Sequence, residues 1–386
     1  APADTGILEG LVAAVEDQAG PAAAIETLEL LLGPNPAWIS GLETLMRLRW
    51  MCGDRTRFTA GHERALDLQP GNFAVWRSLI ISLSQADHFE LALDSVKRGR
   101  ERIGSHLLFD VNEAVCRDEL GEHDTAERLF ARLASSEEPM LRLRHVRHLL
   151  RTGRPAEGAA LAETMTATPA ALFFWPYLSI AWRMLDDERW HWLEGDERLV
   201  GVYDLDLPAL DGLAARLRTL HRTTHQPLEQ SVRGGTQTQG NLFSRVEPEI
   251  RALRSAVVEA VERHLAQLPP PEPDHPQLRL PRGRRVRFNG SWSVRLAEGG
   301  HHANHIHPAG WFSSALYVAL PDAPEPAGWL TLGVPQAELG IDLPPMRRVE
   351  PKPARLVLFP STLWHGTVPF DAGERLTVAF DVARPV

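Results

Sequence analysis

Hydrophobic positions follow a helical period over roughly the first half of the chain and short, interrupted runs over the last hundred residues. Residues 1–200 are rich in Ala, Leu, Arg and Glu, which favour helices. From about residue 280 the chain becomes dense in Val, Phe, Trp, Pro and Gly, and Gly, Pro and Asp clusters separate short apolar segments that predict strands: RVRFNGSWSVRL, WFSSALYVAL, GWLTLGV, ARLVLFP and RLTVAFDVA. The pattern predicts an α + β protein whose helical half precedes a sandwich or jelly roll.

Turn-like positions divide the helical half into units of nearly constant length. Intervals of 34, 34, 34 and 32 residues separate Ala19, Gly53, Asp87, Gly121 and Gly153. Five residues after most of these turns comes a small side chain, which lets two antiparallel helices approach closely: Ala24, Ala92, Ala126 and Gly158, with Phe58 as the exception. A repeated helical hairpin is therefore predicted.

This combination of period, turn and small residue resembles the tetratricopeptide repeat (TPR) over about residues 5–195. Such arrays present a concave surface to a peptide or protein, and they also serve as spacers or dimer contacts. We predict two domains, a TPR-like helical domain over residues 1–195 and a second domain over 196–386. The second is expected to have a helical lead-in at 196–278 and a β-barrel core at 279–386.

Two amphipathic helices are predicted between the repeats and the strands. Leu210, Leu213, Leu217 and Leu220 keep a helical spacing, and a second well-patterned helix runs from about Pro248 to Gln267. Both are expected to pack as buttresses on one face of the sheet. The polar, glycine-rich SVRGGTQTQGN between them predicts a loop, long enough to act as a lid or simply a surface connection.

Composition excludes several classes of protein. The 386 residues are 44% hydrophobic and 24% charged, as in ordinary globular proteins, and no apolar run of membrane-spanning length occurs. The net charge of −9 disfavours nucleic acid as a partner. Cys52 and Cys116 are too few for a disulfide framework, and APADTG lacks the features of a signal peptide, so we expect a cytoplasmic location without membrane or nucleic-acid partners.

Histidines concentrate among the predicted strands. Within seven residues come His301, His302, His305 and His307, and His365 follows a predicted strand. In an extended segment His305 and His307 share a face, and with His365 they can hold one face of an octahedral metal ion while three positions stay open. Imidazole suits Fe(II), Zn(II), Cu(II) and Ni(II) alike, and an isolated pair of this kind is also found among surface histidines.

A candidate carboxylate-binding fork follows ten residues after His365. Arg375 and Thr377 lie two residues apart on one face of the last predicted strand, where a guanidinium and a hydroxyl can bind a carboxylate together. Three polar residues in neighbouring predicted strands are further candidate contacts, although Tyr317 can equally belong to the core: Tyr317, Ser313 and Asn289.

Five arginines lie between Arg279 and Arg287. This run is interpreted either as a solvated strand edge guarded against pairing or as a patch for an acidic substrate or partner.

The spacing of these motifs resembles that of the Fe(II)/2-oxoglutarate-dependent oxygenases: His-x-(Asp or His), a distal His after a strand ending in FP, and Arg about ten residues later. More narrowly, HANHIHPAGWFSSALYVALP, RLVLFPSTLWHGTVPF and ERLTVAFDV are similar to the 2OG-Fe(II) oxygenase branch that often carries TPRs. The resemblance covers about residues 200–386. It implies a double-stranded β-helix that holds Fe(II), with 2-oxoglutarate as a chelating cosubstrate.

The resemblance also implies roles for individual residues. His305 and His365 take the places of the two metal-binding histidines, and Arg375, assisted by Thr377, takes the place that binds the 5-carboxylate of 2-oxoglutarate. Tyr317, Asn289 and Ser313 are further candidates for cosubstrate contacts. Most of the superfamily has Asp where this chain has His307. A three-His metal site and a two-His site with His307 beside it both stay open, and we predict the former.

The implied reaction uses O2 and 2-oxoglutarate to oxidise a C–H bond, most often by hydroxylation, and releases succinate and CO2. We predict that the repeats recruit a peptide, a protein or an amino acid on a carrier, while a free small molecule stays possible. One alternative is a three-His dioxygenase that does not use 2-oxoglutarate, against which Arg375 argues. The other is an inactive repeat scaffold, against which the complete His/His/Arg set argues.

Overall fold

The computed structural model describes residues 5–226, 228 and 230–385 of the chain. It confirms the predicted α + β class, with helical repeats followed by an antiparallel β domain. The helices are α1 (Thr5–Ala19), α2 (Pro21–Leu32), α3 (Ile39–Met51), α4 (Ala60–Leu68), α5 (Phe73–Gln85), α6 (Phe89–Ile103), α7 (Leu107–Glu119), α8 (His123–Leu133), α9 (Pro139–Arg151), α10 (Pro155–Glu163), α11 (Ala171–Met184), α12 (Arg189–Glu194), α13 (Leu210–Leu220) and α14 (Pro248–Gln267).

The strands follow the helical region, apart from two that are interleaved with the last helices. They are β1 (Gly201–Asp204), β2 (Val232–Gln237), β3 (Phe288–His302), β4 (Gly310–Ala319), β5 (Leu330–Leu332), β6 (Arg347–Val349), β7 (Arg355–Pro360), β8 (His365–Thr367) and β9 (Arg375–Ala383). Short 3-10 helices lie at Glu197–Leu199, Leu242–Ser244 and Ala337–Leu339. Among the described residues, no helix combines the length and the apolar character needed to cross a bilayer.

The described residues form two compact units. The first contains α1 to α8 and the segment Arg222–Gln230, and the second contains Glu138–His221 together with the residues from Ser231 onward. Helices α9 to α12, which the sequence places in the repeat domain, thus lie in the same compact unit as the strands. The functional domain boundary at residue 195 stays a prediction.

The predicted hairpin turns are confirmed by the backbone. A residue with positive φ stands at or next to every marked position: Gly20 (89°), Gly53 (88°), Asp87 (60°), Gly121 (79°) and Gly153 (74°). Left-handed backbone at this point ends one helix and turns the chain into the next, which glycine allows at little cost. The small residues five positions later are buried at the helix contacts, as the repeat pattern requires: Ala24, Ala92 and Ala126.

The larger sheet has six strands in the order β1-β7-β4-β9-β3-β2, and its neighbouring strands are antiparallel. Residues alternate between its two faces. On β9, the outer residues Leu376, Val378 and Phe380 join the apolar core with residues of α13 and α14, so the predicted buttress helices are confirmed. The alternate positions of β9, from Arg375 to Asp381, lie on the opposite face.

A smaller sheet, in the order β6-β5-β8, faces the larger one. The two sheets share an apolar cluster, to which β5 contributes Leu330 and Leu332, and the inner faces of β4 and β7 contribute Tyr317, Val357 and Phe359. This arrangement is the predicted double-stranded β-helix. Its inner face therefore contains both apolar packing and the polar positions of β9.

The prediction of a loop at SVRGGTQTQGN is wrong in part, because Val232–Gln237 form strand β2. This edge strand pairs with β3, with a register shift between Arg233 and Gly235. Gly234 has a φ of +67°, and a Cβ atom on Gly235 would collide with the carbonyl oxygen of Arg295. Glycines are usually rare in strands, and their presence here favoured a loop. In the structure they allow β2 to pair with β3, because the backbone of β3 comes too close to leave room for a side chain.

Within the second unit, α11 packs against the chain segments that carry the histidines. Trp364 donates its Nε1–H to the carbonyl of Pro176 at 3.1 Å and meets the ring of Tyr177 edge to face at 5.5 Å. Ile306 packs against the same apolar cluster, to which Leu339 also belongs. Helices α9 to α12 thus bury apolar side chains that flank the candidate site.

This packing predicts different behaviour for two fragments. A fragment of residues 138–386 is expected to fold, whereas a fragment of residues 196–386 is expected to aggregate or to unfold at lower temperature. The shorter fragment would expose the buried side chains of Trp364 and Leu339, each at a cost of roughly 2 kcal/mol, and would expose more of the partly buried Ile306. Size-exclusion chromatography and thermal unfolding followed by circular dichroism measure the difference. Equal stability of the two fragments would contradict it and favour the boundary at residue 195.

Candidate metal centre

Backbone hydrogen bonds bring three histidines together at one end of the inner face. His305 and His365 form an isolated antiparallel bridge, in which their N–H groups donate to each other's carbonyl oxygens at 2.9 and 3.0 Å. The N–H of His307 donates to the carbonyl of Ser361 at 2.8 Å, and its own carbonyl accepts from Gly310. Both histidine-bearing segments are thereby held by paired backbone groups.

The three imidazoles are close enough to bind one metal ion. One ring nitrogen of each lies within 4.8 Å of a ring nitrogen of the other two. The ring centroids are separated by 4.1 Å for His305 and His365, 4.9 Å for His305 and His307, and 5.3 Å for His307 and His365. Three imidazoles that share one small space suit a transition-metal ion.

Hydrogen bonds at Nδ1 orient the three rings. His305 Nδ1 lies 2.8 Å from the carbonyl oxygen of Ala303, and His365 Nδ1 lies 2.9 Å from that of Leu363. A carbonyl oxygen only accepts, so Nδ1 carries the proton in both rings and Nε2 keeps a lone pair for a metal. Burial lowers the pKa of His305 and of His365 well below the usual value, so both rings are neutral at pH 7.

Asp381 is a candidate site residue that the sequence analysis missed. Its Oδ2 accepts from His307 Nδ1 at 2.7 Å, and its Oδ1 accepts from the hydroxyl of Ser313 at 2.6 Å. A carboxylate in this position fixes the ring and makes its other nitrogen a better ligand. The alternation along β9 puts Asp381 on the same face as Arg375 and could have revealed it.

Arg375 is buried on the same face of β9, with 1% of its surface exposed. Its guanidinium lies over the ring of Tyr317, 5.1 Å from the centroid, and its Nε and Nη1 atoms have no hydrogen-bond partner among the residues that the structure describes. The neighbouring Glu374 is already bound by Arg218 and Arg295, at 2.7 and 2.5 Å. Arg375 is therefore a buried cation without a counter-ion among the described residues, and burial lowers its pKa.

The surroundings of Arg375 provide further polar groups. Thr377 is buried two residues along β9 and lies opposite Tyr317 in the strand register. The Tyr317 hydroxyl makes no well-formed hydrogen bond within the described part of the chain. Burial first and then the charge of Arg375 lower the pKa of His302 to about 3. The His302 and His305 rings are stacked, with their centroids 6.1 Å apart. His302 therefore contacts one of the three histidines and also feels the charge of Arg375.

The other predicted contacts lie elsewhere or have other partners. Ser313 is buried, and its hydroxyl holds Asp381 and lies 2.9 Å from Ser361 Oγ. Asn289 is exposed and donates its Nδ2 to the carbonyl of Ala309 at 2.9 Å. The assignment of Ser313 and Asn289 as cosubstrate contacts stays a prediction. In the structure Ser313 instead binds Asp381, the residue that contacts His307.

Residues 290–381 match the family model described as "Putative 2OG-Fe(II) oxygenase". The match spans both histidine segments, Arg375 and Asp381, and it confirms the resemblance that the sequence motifs indicated. No curated protein matches the chain.

Solved structures resemble parts of the chain at low identity. A prolyl-4-hydroxylase of Pseudomonas putida shares 17% identity, with 52% of this chain and 97% of that chain covered and a TM-score of 0.33. HygX of Streptomyces hygroscopicus, solved with nickel and 2-oxoglutarate bound, shares 12%, with 48% and 83% covered and a TM-score of 0.32. A thermophilic TPR protein of Thermus thermophilus shares 18%, with 46% and 97% covered and a TM-score of 0.35. With TM-scores below 0.5, these similarities say nothing about activity.

Metal affinity tests the arrangement without any assay of turnover. Replacement of His305, His307 or His365 by Ala is expected to abolish tight binding of Ni(II), because each removes a predicted ligand. Asp381→Asn is expected to weaken binding by about 10- to 100-fold, since it removes the carboxylate that orients His307. Isothermal titration of the metal-free protein with Ni(II) measures both effects.

His301→Ala and Asp371→Asn are matched controls. The His301 ring is outside the group of three, and Asp371 is exposed, so both variants should bind Ni(II) like the wild type. Wild-type affinity in His307→Ala would show a two-His site. An unchanged affinity in Asp381→Asn would show that its carboxylate does not support the metal.

Proposed function

We propose that the chain is an Fe(II)- and 2-oxoglutarate-dependent oxygenase whose metal ligands are His305, His307 and His365. Support comes from the match to the oxygenase family model over residues 290–381 and from the convergence of the three imidazoles. The donor set fits Fe(II). His305 and His365 are neutral rings whose Nδ1–H groups donate to backbone carbonyls, and Asp381 holds the ring of His307.

The buried guanidinium of Arg375 is the observation that carries the 2-oxoglutarate part of the proposal. A charged group removed from water without a partner costs several kcal/mol, and a ligand carboxylate would offset that cost. Glu374, its neighbour in sequence, is engaged by two other arginines and does not supply this charge. A dicarboxylate that reaches from the metal to Arg375 would satisfy the free Nε and Nη1 atoms.

The residues around the site have separate tasks. Arg375 binds the distal carboxylate of 2-oxoglutarate, Thr377 and the free hydroxyl of Tyr317 offer further hydrogen bonds, and the Tyr317 ring supports the guanidinium. Aromatic rings shield the histidines from water: Phe359 lies 4.6 Å from the His365 ring, and Trp292 stacks on the His307 ring at 5.7 Å. When bound, Fe(II) supplies the activation of O2 that couples decarboxylation of 2-oxoglutarate to oxidation of a substrate C–H bond.

The proposed substrate is a peptide, a protein or an amino acid carried on a larger molecule, with hydroxylation as the reaction. The helical repeats support this choice, because stacked hairpins present an extended surface that suits a partner chain. We also propose a reducing, cytoplasmic location, which the two cysteines support, since Cys52 and Cys116 form no disulfide.

Arg375→Ala is expected to weaken binding of 2-oxoglutarate by at least about 30-fold, because loss of a buried charge-assisted pair costs roughly 2–5 kcal/mol. Binding of the metal should stay within about twofold of the wild-type value, since Arg375 is not one of the proposed metal ligands. Calorimetric titration of the Ni(II)-loaded protein with 2-oxoglutarate measures the change.

The control for this experiment is Arg348→Ala, which removes an exposed arginine on β6. It should leave the affinity for 2-oxoglutarate unchanged. If Arg375→Ala also binds 2-oxoglutarate like the wild type, the proposed cosubstrate is wrong, and a three-His dioxygenase that does not use 2-oxoglutarate becomes the better assignment.

A further inference from the structure

The arginines between Arg279 and Arg287 lack acidic partners within the described part of the chain. Residues 276–288 contain five arginines and no Asp or Glu, although the whole chain has a net charge of −9. Arginines elsewhere commonly pair with carboxylates, as Arg98 does with Glu63 and Arg355 with Asp204. This segment therefore concentrates positive charge that the fold does not neutralise.

Protection of a strand edge does not explain this run of arginines. The strand that follows, β3, begins at Phe288, after the last arginine of the run, and lies inside the sheet between β9 and β2. The carbonyl of Arg287 already accepts a hydrogen bond from the N–H of Ala383 at 2.8 Å. The arginines precede the residues of β3 that pair with β9, so protection of an edge of that strand does not account for their positions.

Two guanidiniums hold the segment in place. Arg282 donates to the carbonyl oxygens of Leu268, at 2.9 Å, and of Pro269. Arg384 donates to the carbonyl oxygens of Gly310, at 3.2 Å, and of Pro276. These contacts anchor a stretch without regular secondary structure, and they leave the neighbouring arginines in a defined position with their side chains in solvent.

Three of the exposed arginines border a groove with an apolar floor. Arg284, Arg285 and Arg287 line one side of this groove, whose volume is about 280 Å³. Its floor includes Leu265, Trp311 and Val382. A groove of this size accommodates one or two apolar side chains, while the guanidiniums can pair with carboxylates on either side of them.

We propose that this groove binds an acidic segment of a partner polypeptide, with an apolar side chain on the groove floor and carboxylates against Arg284, Arg285 and Arg287. We choose an acidic partner because its carboxylates would complement the positive charge of the arginines that line the groove. A nucleic acid fits less well, because the net negative charge of the chain repels a long polyanion. The proposal does not depend on the oxygenase activity.

Fluorescence anisotropy of the full-length protein with a labelled peptide tests the groove. The probe is a short peptide of glutamates around one leucine, and the reference peptide has glutamines in place of the glutamates. Wild-type protein is expected to bind the probe and not the reference, with an affinity that falls as salt is raised. R284E/R285E is expected to raise the Kd for the probe by at least tenfold, and R284A/R285A provides the same test with a smaller change in charge.

The matched control is R251E/R254E, which changes two exposed arginines on α14 by the same charge. It should leave the Kd within about twofold of the wild-type value. The proposal would be overturned by an equal loss of affinity in R251E/R254E, by equal binding of the glutamine peptide, or by no binding of the probe to the wild type. Displacement of the probe by a single-stranded oligonucleotide at lower concentration than by unlabelled peptide would assign the groove to nucleic acid instead.

Discussion

The buried positive charge of Arg375 is the constraint on which the candidate site depends. Its guanidinium lies against the ring of Tyr317 with two nitrogen atoms unpaired, and the nearest acid in sequence is engaged elsewhere. An arrangement that isolates a cation in this way is unfavourable for the protein alone. It becomes favourable when a ligand brings a carboxylate into the same space, and so the site is best understood with an anionic ligand in it.

Strand β9 connects this charge with the proposed metal ligands. Its outer residues belong to the core beneath α13 and α14, which fixes the strand, while its inner residues begin with Arg375 and end with Asp381. Three imidazoles by themselves bring no negative charge to the metal. Asp381 places a carboxylate 2.7 Å from Nδ1 of His307, so in the proposed site part of the charge that an aspartate ligand would supply would act through the imidazole instead.

Much of the architecture and several site residues could be predicted from sequence, for local reasons. Left-handed turns and small helix-contact residues have strong sequence preferences, so the repeat period was readable, and β9 could be recognised by its strict alternation. Strand β2 could not, because its glycines are explained only by the close approach of β3. Asp381 was missed because its role depends on a contact with His307, 74 residues away in sequence. The packing of α11 on Trp364 is likewise a long-range contact that no local pattern shows.

Release of CO2 from the C1 position of 2-oxoglutarate tests the proposed chemistry most directly. Protein loaded with Fe(II) is incubated with [1-14C]-2-oxoglutarate and O2, and the radioactive CO2 is collected, with His305→Ala as the reference. We expect slow release of labelled CO2 even without the true substrate, dependent on both Fe(II) and O2 and absent from His305→Ala. Release no greater than from the His305→Ala protein, with bound Fe(II) confirmed in the wild type, would contradict the assignment as a 2-oxoglutarate-dependent oxygenase.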